Sequence, residues 1–186
     1  MVHELIKEIE LALDSRLYLV AMNTALILPD ICGKAEYPEM KTAQRYKKWY
    51  QEHIGQYEQS SVDQRKDLDL PYLSAEVVYQ LRCSLLHQGD PHVGKEKTGI
   101  DRFVLCAEDK RPFGLYVDKA FVKNSGAPEK EYQVNVRRLC FLLCRAAENC
   151  YETNREKFDF FRGTILRLGL GPARESPGQT NQSARK

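Results

Sequence analysis

The sequence predicts a mainly helical single domain carrying a small β insertion, and three observations lead there. Apolar residues recur at three- and four-residue steps through the first ninety or so positions and again near the C-terminus, which is helical periodicity. Short strand-like runs are confined to the segment after Pro91, where they are separated by Gly, Pro and charged turns. The chain has 186 residues and is 42% apolar, enough for one domain with a core that needs no disulfide or metal staples.

From Val2 to about Ile27 the residues Ile6, Ile9, Leu13, Leu17, Val20 and Ile27 form the first helical pattern. Asp14-Ser15 is placed to cap a second helix, so two consecutive helices or one kinked helix is expected, with Pro29 and Gly33 punctuating the end. After Tyr37-Pro38, the stretch from Thr42 to about His53 puts Tyr46, Trp49, Tyr50 and His53 on one stripe among Lys41, Arg45, Lys47 and Lys48. A basic and aromatic mixture suits RNA, but an aromatic stripe at helical spacing is more often core, and core is the reading adopted.

Residues Gly55 to Asp69 lack periodicity and read as a loop. Ser74 then caps a helix with Val77, Val78, Leu81 and Leu85 on its buried face, and Gly89 and Pro91 stop it. Phe103-Val104-Leu105-Cys106, Leu115-Tyr116-Val117 and Tyr132-Gln133-Val134 are the strand-like runs of a hairpin or small sheet inserted at about 92–134. Asn135 caps the last long helix, whose stripe of Val136, Leu139, Cys140, Leu143, Cys144 and Ala147 continues toward Phe158. The domain is thus expected over 1–168, followed by a disordered tail over 169–186 that has almost nothing to bury.

Composition excludes several function classes. The formal net charge is +2, and the tail's Arg174, Arg185 and Lys186 against Glu175 also sum to +2, so the body is neutral and bulk charge gives no argument for nucleic acid. No run approaches the length of a membrane span and no secretory signal is evident, so the expectation is a cytoplasmic protein with no membrane partner. The six cysteines nowhere form Cys-x-x-Cys, and three of them lie in one helical pattern; reduced thiols are expected, with no metal and no cofactor. There is no internal repeat, glycine-rich phosphate loop or carboxylate-rich metal box. Lys123, Lys130, Arg137 and Arg138 read as a solvated face in preference to a binding surface.

The chemistry-bearing stretch is Arg82-Cys83-Ser84-Leu85-Leu86-His87, followed by Gln88-Gly89-Asp90-Pro91. A permanent cation and a ring that titrates near neutral pH stand near the end of an apolar helix, which is equipment for a phosphodiester. On an ideal helix the five-residue step rotates by about 140°, so the two side chains would have to reach around to meet. Other readings are a thiolate–imidazolium pair of Cys83 and His87, a metal site of Cys83, His87 and His92, and a structural role in which Arg82 pairs with a carboxylate and His87 caps the helix end.

Arg82 and His87 with four residues between them match the Arg, four to six residues, His signature of the HEPN superfamily (higher eukaryotes and prokaryotes nucleotide-binding domains). The succession Ala25-Leu26-Ile27-Leu28-Pro29-Asp30-Ile31-Cys32-Gly33-Lys34, Arg45-Tyr46-Lys47-Lys48-Trp49-Tyr50 and Tyr79 to Gly89 resembles a group of bacterial HEPN-like proteins over about Leu17 to Asp90. The resemblance implies a HEPN-like helical bundle and a homodimer that brings two Arg–His pairs into one cleft. In active members it implies metal-independent RNA cleavage. The leading expectation is a ribonuclease, or a ribonuclease-derived RNA-binding protein, of the kind found in toxin or phage-defence systems, with RNA and a protein partner or antitoxin as its expected partners. There His87 acts as base or acid, Arg82 holds phosphate oxygens, and the products carry a 2′,3′-cyclic phosphate and a 5′-hydroxyl. Active relatives usually place a polar residue, such as Asn, Asp or His, directly after the Arg, whereas this chain has Cys83, so either the site is attenuated or Ser84, Gln88 or Asp90 supplies that polar role. The alternative is a catalytically silent dimeric helical module that binds a protein partner or nucleotide. An open basic cleft lined by Arg82 and His87 of both subunits favours the first reading, and burial of both residues in intrachain salt bridges the second.

Overall fold

The computed structural model describes residues 1–58, 73–88, 100–107, 117–122 and 129–161. It is mainly α with a small sheet, as expected from the periodicity. Helix α1 (Val2–Asp14) buries Val2, Ile6, Ile9 and Ala12, and α2 (Tyr18–Ala25) buries Ala21, Met22 and Ala25. The corner between them is a left-handed stop. Arg16 has φ 59°, its N–H donates to the Leu13 carbonyl at 3.2 Å, and the Leu17 N–H donates to the Ala12 carbonyl at 2.7 Å. That bond pair is a Schellman motif with Arg in the usual glycine position. Asp14-Ser15 therefore closes α1 and does not cap α2, which starts at Leu17 without a side-chain cap.

Pro29 and Gly33 also behave differently from the expectation. Both lie inside α3 (Leu28–Glu36), Pro29 in the first turn, where its missing N–H is harmless. Gly33 faces α4 (Thr42–Tyr50), and a Cβ there would stand 3.0 Å from the Arg45 carbonyl oxygen, so its absence lets the two backbones approach. Tyr46, Trp49 and Tyr50 of α4 are fully buried, in agreement with the core reading of that stripe. A π-helical turn, Gln51–Gly55, continues α4, and helix persists to residue 58, so Gly55 does not begin a loop; residues 59–69 of the expected loop lie outside the described residues.

Helix α5 (Ala75–Cys83) begins as expected, with the Ser74 hydroxyl accepting from the Val77 N–H at 3.3 Å, and it buries Val77, Val78 and Leu81. It runs on into a second π-helical turn, Ser84–Gln88. The predicted stop residues Gly89 and Pro91 lie outside the described residues. The Tyr50 hydroxyl donates to the Leu73 carbonyl at 3.1 Å, tying α4 to the start of α5.

The insertion is a three-stranded mixed sheet of order β1-β3-β2, formed by β1 (Arg102–Cys106), β2 (Val117–Val122) and β3 (Glu129–Asn135). The central β3 runs parallel to β1, with Phe103 opposite Tyr132, and antiparallel to β2, with Lys119 opposite Tyr132. β2 shares only Val117 with the expected run at 115–117, whose residues 115 and 116 lie outside the described residues. Phe103, Tyr132 and Val134 join the helical core.

β3 passes directly into α6 (Val136–Thr153), whose N-cap Asn135 accepts from the Arg138 N–H at 3.0 Å. α6 buries Val136, Leu139, Cys140, Leu143, Cys144, Ala147 and Cys150 against α1, α2 and α3. Arg137 donates to the Leu13 carbonyl at 3.0 Å and lies over the Tyr18 ring, and Arg138 pairs with Glu58 at 3.6 Å, so both are engaged within the chain. All six cysteines are free. Burial pushes the Cys140 and Cys144 thiols up to about 12. Among the described residues no helix is long and apolar enough to cross a membrane. The predicted tail, 169–186, lies outside the described residues.

Candidate functional site

α5 is anchored by its apolar face, and that sets where Arg82 points. With Val78 and Leu81 fixed in the core, Arg82 reaches toward the first turn of α3. Its Nε donates to Asp30 Oδ2 at 2.7 Å and its Nη2 lies 2.6 Å from the same oxygen. Only 14% of the Arg82 side chain and 16% of that of Asp30 are exposed. Burial works against the Arg82 charge, but Asp30 outweighs it and the pKa is raised above its ordinary value.

Two aromatic rings complete the setting. The guanidinium carbon lies 5.8 Å from the Tyr46 centroid and 5.9 Å from that of Tyr79, within cation–π range, and the two rings meet edge to face at 5.3 Å. The Tyr46 hydroxyl donates to the Leu26 carbonyl at 3.3 Å. Burial raises the pKa of both tyrosines, with Asp30 adding to the effect at Tyr46 and Cys83 at Tyr79. One turn earlier Glu76 accepts from Lys47 at 2.8 Å and from Gln80 at 2.9 Å. The face of α5 toward α3 and α4 thus carries the Arg82–Asp30 and Lys47–Glu76 ion pairs.

The other expected site residues are dispersed. Cys83 is half-buried beside Tyr79. Ser84, a candidate for the polar role missing at Cys83, is 3% exposed. The backbones of His87 and Gln88 belong to the π-helical turn, while the side chains of both, and Asp90 and His92 altogether, lie outside the described residues. The turn changes the angular relation of Arg82 and His87. Its i to i+5 bonding winds more slowly than an α-helix, so the five-residue step falls from about 140° toward one face of the helix.

Asp30, Tyr46 and Tyr79 are the neighbours that sequence reasoning did not assign to the site. One signal was present: Asp30 is the single charged residue between Arg16 and Lys34. A second polar group joins α3, α4 and α6. Glu36 binds His53 Nε2 through Oε2 at 2.9 Å and accepts from the Cys150 thiol through Oε1 at 3.2 Å, while His53 stacks on Trp49 at 4.8 Å. Burial raises the Glu36 pKa, but the bonds from His53 and Cys150 prevail and hold it below the usual value. Among the described residues no three His, Cys, Asp or Glu side chains are grouped to hold a metal. A groove of about 460 Å³ lies between α1 and α6, away from α5, lined by Ile6, Ile9, Leu13, Cys140, Phe141 and Cys144.

No family model, curated protein or solved structure matches the chain. The chemical reading rests on the geometry. The Arg82 guanidinium already has a carboxylate on two of its nitrogens, so an incoming phosphate must displace Asp30 or share the cation with it. Arg82 as found joins α5 to α3.

Proposed function

We propose that the chain is a catalytically silent HEPN-like helical module, a homodimer that binds a protein partner or nucleotide in preference to cleaving RNA. The observation that carries this reading is the Arg82–Asp30 pair, formed within one chain with only 14% and 16% of the two side chains exposed. A cation meant to steady a developing phosphorane charge has to be available in the transition state. Here the nearest anion is the protein's own. Cys83 in the position after Arg82 supports the same reading, since a thiol is a weak hydrogen-bond partner for a phosphate or a 2′-hydroxyl.

A second reading, a metal-independent endoribonuclease of a toxin or phage-defence system, draws support from the π-helical turn at Ser84–Gln88. Such turns are frequent at functional sites, and this one brings the backbone positions of Arg82 and His87 toward one face. The experiment that separates the two is incubation of purified protein with labelled RNA in excess chelator, for wild type, Arg82→Ala and His87→Ala. No cleavage by any of the three is expected. Cleavage by wild type that both substitutions abolish, leaving 2′,3′-cyclic phosphate and 5′-hydroxyl ends, overturns the silent-module reading and establishes the ribonuclease.

A further inference from the structure

Two thiols, a carboxylate and an imidazole stand in a row between α3, α6 and the turn at Gln51–Gly55, and none of them takes part in the setting of Arg82. Cys32 and Glu36 are four residues apart on α3, so they share one face of that helix, which packs on α6. Cys150 of α6 reaches both. Its thiol donates to Glu36 Oε1 at 3.2 Å, and it is hydrogen-bonded to the Cys32 thiol. Beyond Glu36, His53 Nε2 lies 2.9 Å from Oε2. The thiols are the inner end of the row, Cys32 wholly buried and Cys150 3% exposed, while Glu36 at 14% and His53 at 31% lead out to solvent. Cys140 and Cys144 are also neighbours, but along one helix, and among the described residues neither is hydrogen-bonded to a carboxylate.

We infer that Cys150 and Cys32, with Glu36 as base, are an oxidation site for hydrogen peroxide, at which the two thiols close into a disulfide joining α3 to α6. Cys150 is the attacking group. Its proton passes to the Glu36 carboxylate, the thiolate attacks one peroxide oxygen, the O–O bond breaks, and the leaving hydroxide takes the proton from Glu36 as water. Cys150 is then a sulfenic acid. The Cys32 sulfur displaces its hydroxyl group, the S–S bond forms, and the departing hydroxide takes the Cys32 proton, so the thiols lose two electrons and the peroxide becomes two waters. The hydrogen bonds divide the roles. Glu36 touches Cys150, while the bond to Cys150, together with burial, pushes the Cys32 thiol well above its ordinary pKa, so Cys32 keeps its proton until the second step. Access sets the reagent: at 3% exposure Cys150 admits no bulky disulfide, and an oxidant little larger than water enters beside Glu36. Packed helices run about 8–10 Å apart with Cα atoms about 2.3 Å off each axis, so residues facing across the seam come within about 5 Å, inside the disulfide range. The link closes a loop of over a hundred residues and fixes the helix that presents Asp30 to Arg82.

The test treats the reduced, folded full-length protein with hydrogen peroxide, quenches it, unfolds it in N-ethylmaleimide and reads the digested peptides by mass spectrometry. The expected product is a peptide pair linking Cys32 and Cys150, about 2 Da lighter than the two reduced peptides together, which dithiothreitol returns to two free thiols. This measurement on the unaltered protein does not depend on how any variant folds. Glu36→Gln keeps a hydrogen-bond acceptor and loses the base, so its link should form roughly 10-fold or more slowly, and Cys150→Ser should leave Cys32 reduced. Recovery of Cys32 and Cys150 as alkylated thiols while Cys83 or Cys106 is oxidised overturns the site. So does Cys150 recovered as a sulfinic acid with Cys32 still free. A link that forms in Glu36→Gln at the wild-type rate overturns the assignment of Glu36 as base.

Discussion

Replacing Arg82 by Met keeps most of the side chain's length and removes its charge, leaving Asp30 without its guanidinium at a position where only 16% of the side chain reaches solvent. Two charge-assisted bonds, at 2.6 and 2.7 Å, are lost. Hydrogen bonds to charged groups contribute about 1.5–3 kcal/mol each, and breaking a fully buried pair costs about 3–5 kcal/mol. Both nitrogens share one oxygen and some solvent contact remains, so a loss of about 2–4 kcal/mol is expected. For a chain of this size that lowers Tm by roughly 5–15 °C. Urea unfolding followed by far-ultraviolet circular dichroism reads it. Asp30→Asn alone should also destabilise, more so because the carboxylate sits in the first turn of α3, where the helix dipole favours an anion. The double variant should be less impaired than the sum of the two by about 1–3 kcal/mol. A single-variant loss below about 0.5 kcal/mol with no coupling beyond the 0.3–0.5 kcal/mol scatter of independent sites refutes the structural role of Arg82 and returns it to ligand binding.

Two further perturbations test the packing and the electrostatics. Gly33→Ala should destabilise by about 1–3 kcal/mol, because the added Cβ meets backbone of Arg45 at 3.0 Å; unchanged urea stability would mean that α3 and α4 separate freely. The depressed Glu36 pKa means that its carboxylate stabilises the fold above the ordinary value of 4.5 and that this contribution is lost as pH falls through the lower folded value. The stability difference between wild type and Glu36→Gln, measured by urea unfolding from pH 7 to pH 3, should therefore be constant at neutral pH and shrink below about 4.5. A difference that grows on acidification would refute the assignment.

What was legible in the sequence is what local chemistry decides. Ser74 and Asn135 cap the helices they precede because each needs only a hydroxyl or amide three residues ahead of a backbone N–H. The stripe from Val136 to Ala147 was readable because a single helix buries it along one side. Pro29 and Gly33 misled because each has a helical use as well as a breaking one. Which applies depends on a partner: Gly33 serves an approach to Arg45, twelve residues away. The Asp30 partner of Arg82 is separated from it by 52 positions, and no periodicity encodes that meeting. The angle of about 140° between Arg82 and His87 holds for a regular helix only, and the i to i+5 turn that alters it has no residue signature in Ser84-Leu85-Leu86-His87-Gln88.

The place of α6 in the bundle bears on how the chain is made. α1 and α2 touch one another, as do α3 and α4, and both hairpins can form from neighbours in sequence. Yet α1, α2, α3 and the turn at Gln51–Gly55 also pack on α6, which begins only at Val136. On a ribosome adding about 5–20 residues per second, Ile6, Ile9 and Met22 stay partly uncovered for several seconds before their cover emerges. Nascent-chain lengths that stop short of about residue 153 should bind a hydrophobic-surface chaperone, and release should coincide with the emergence of α6 and not with that of the sheet.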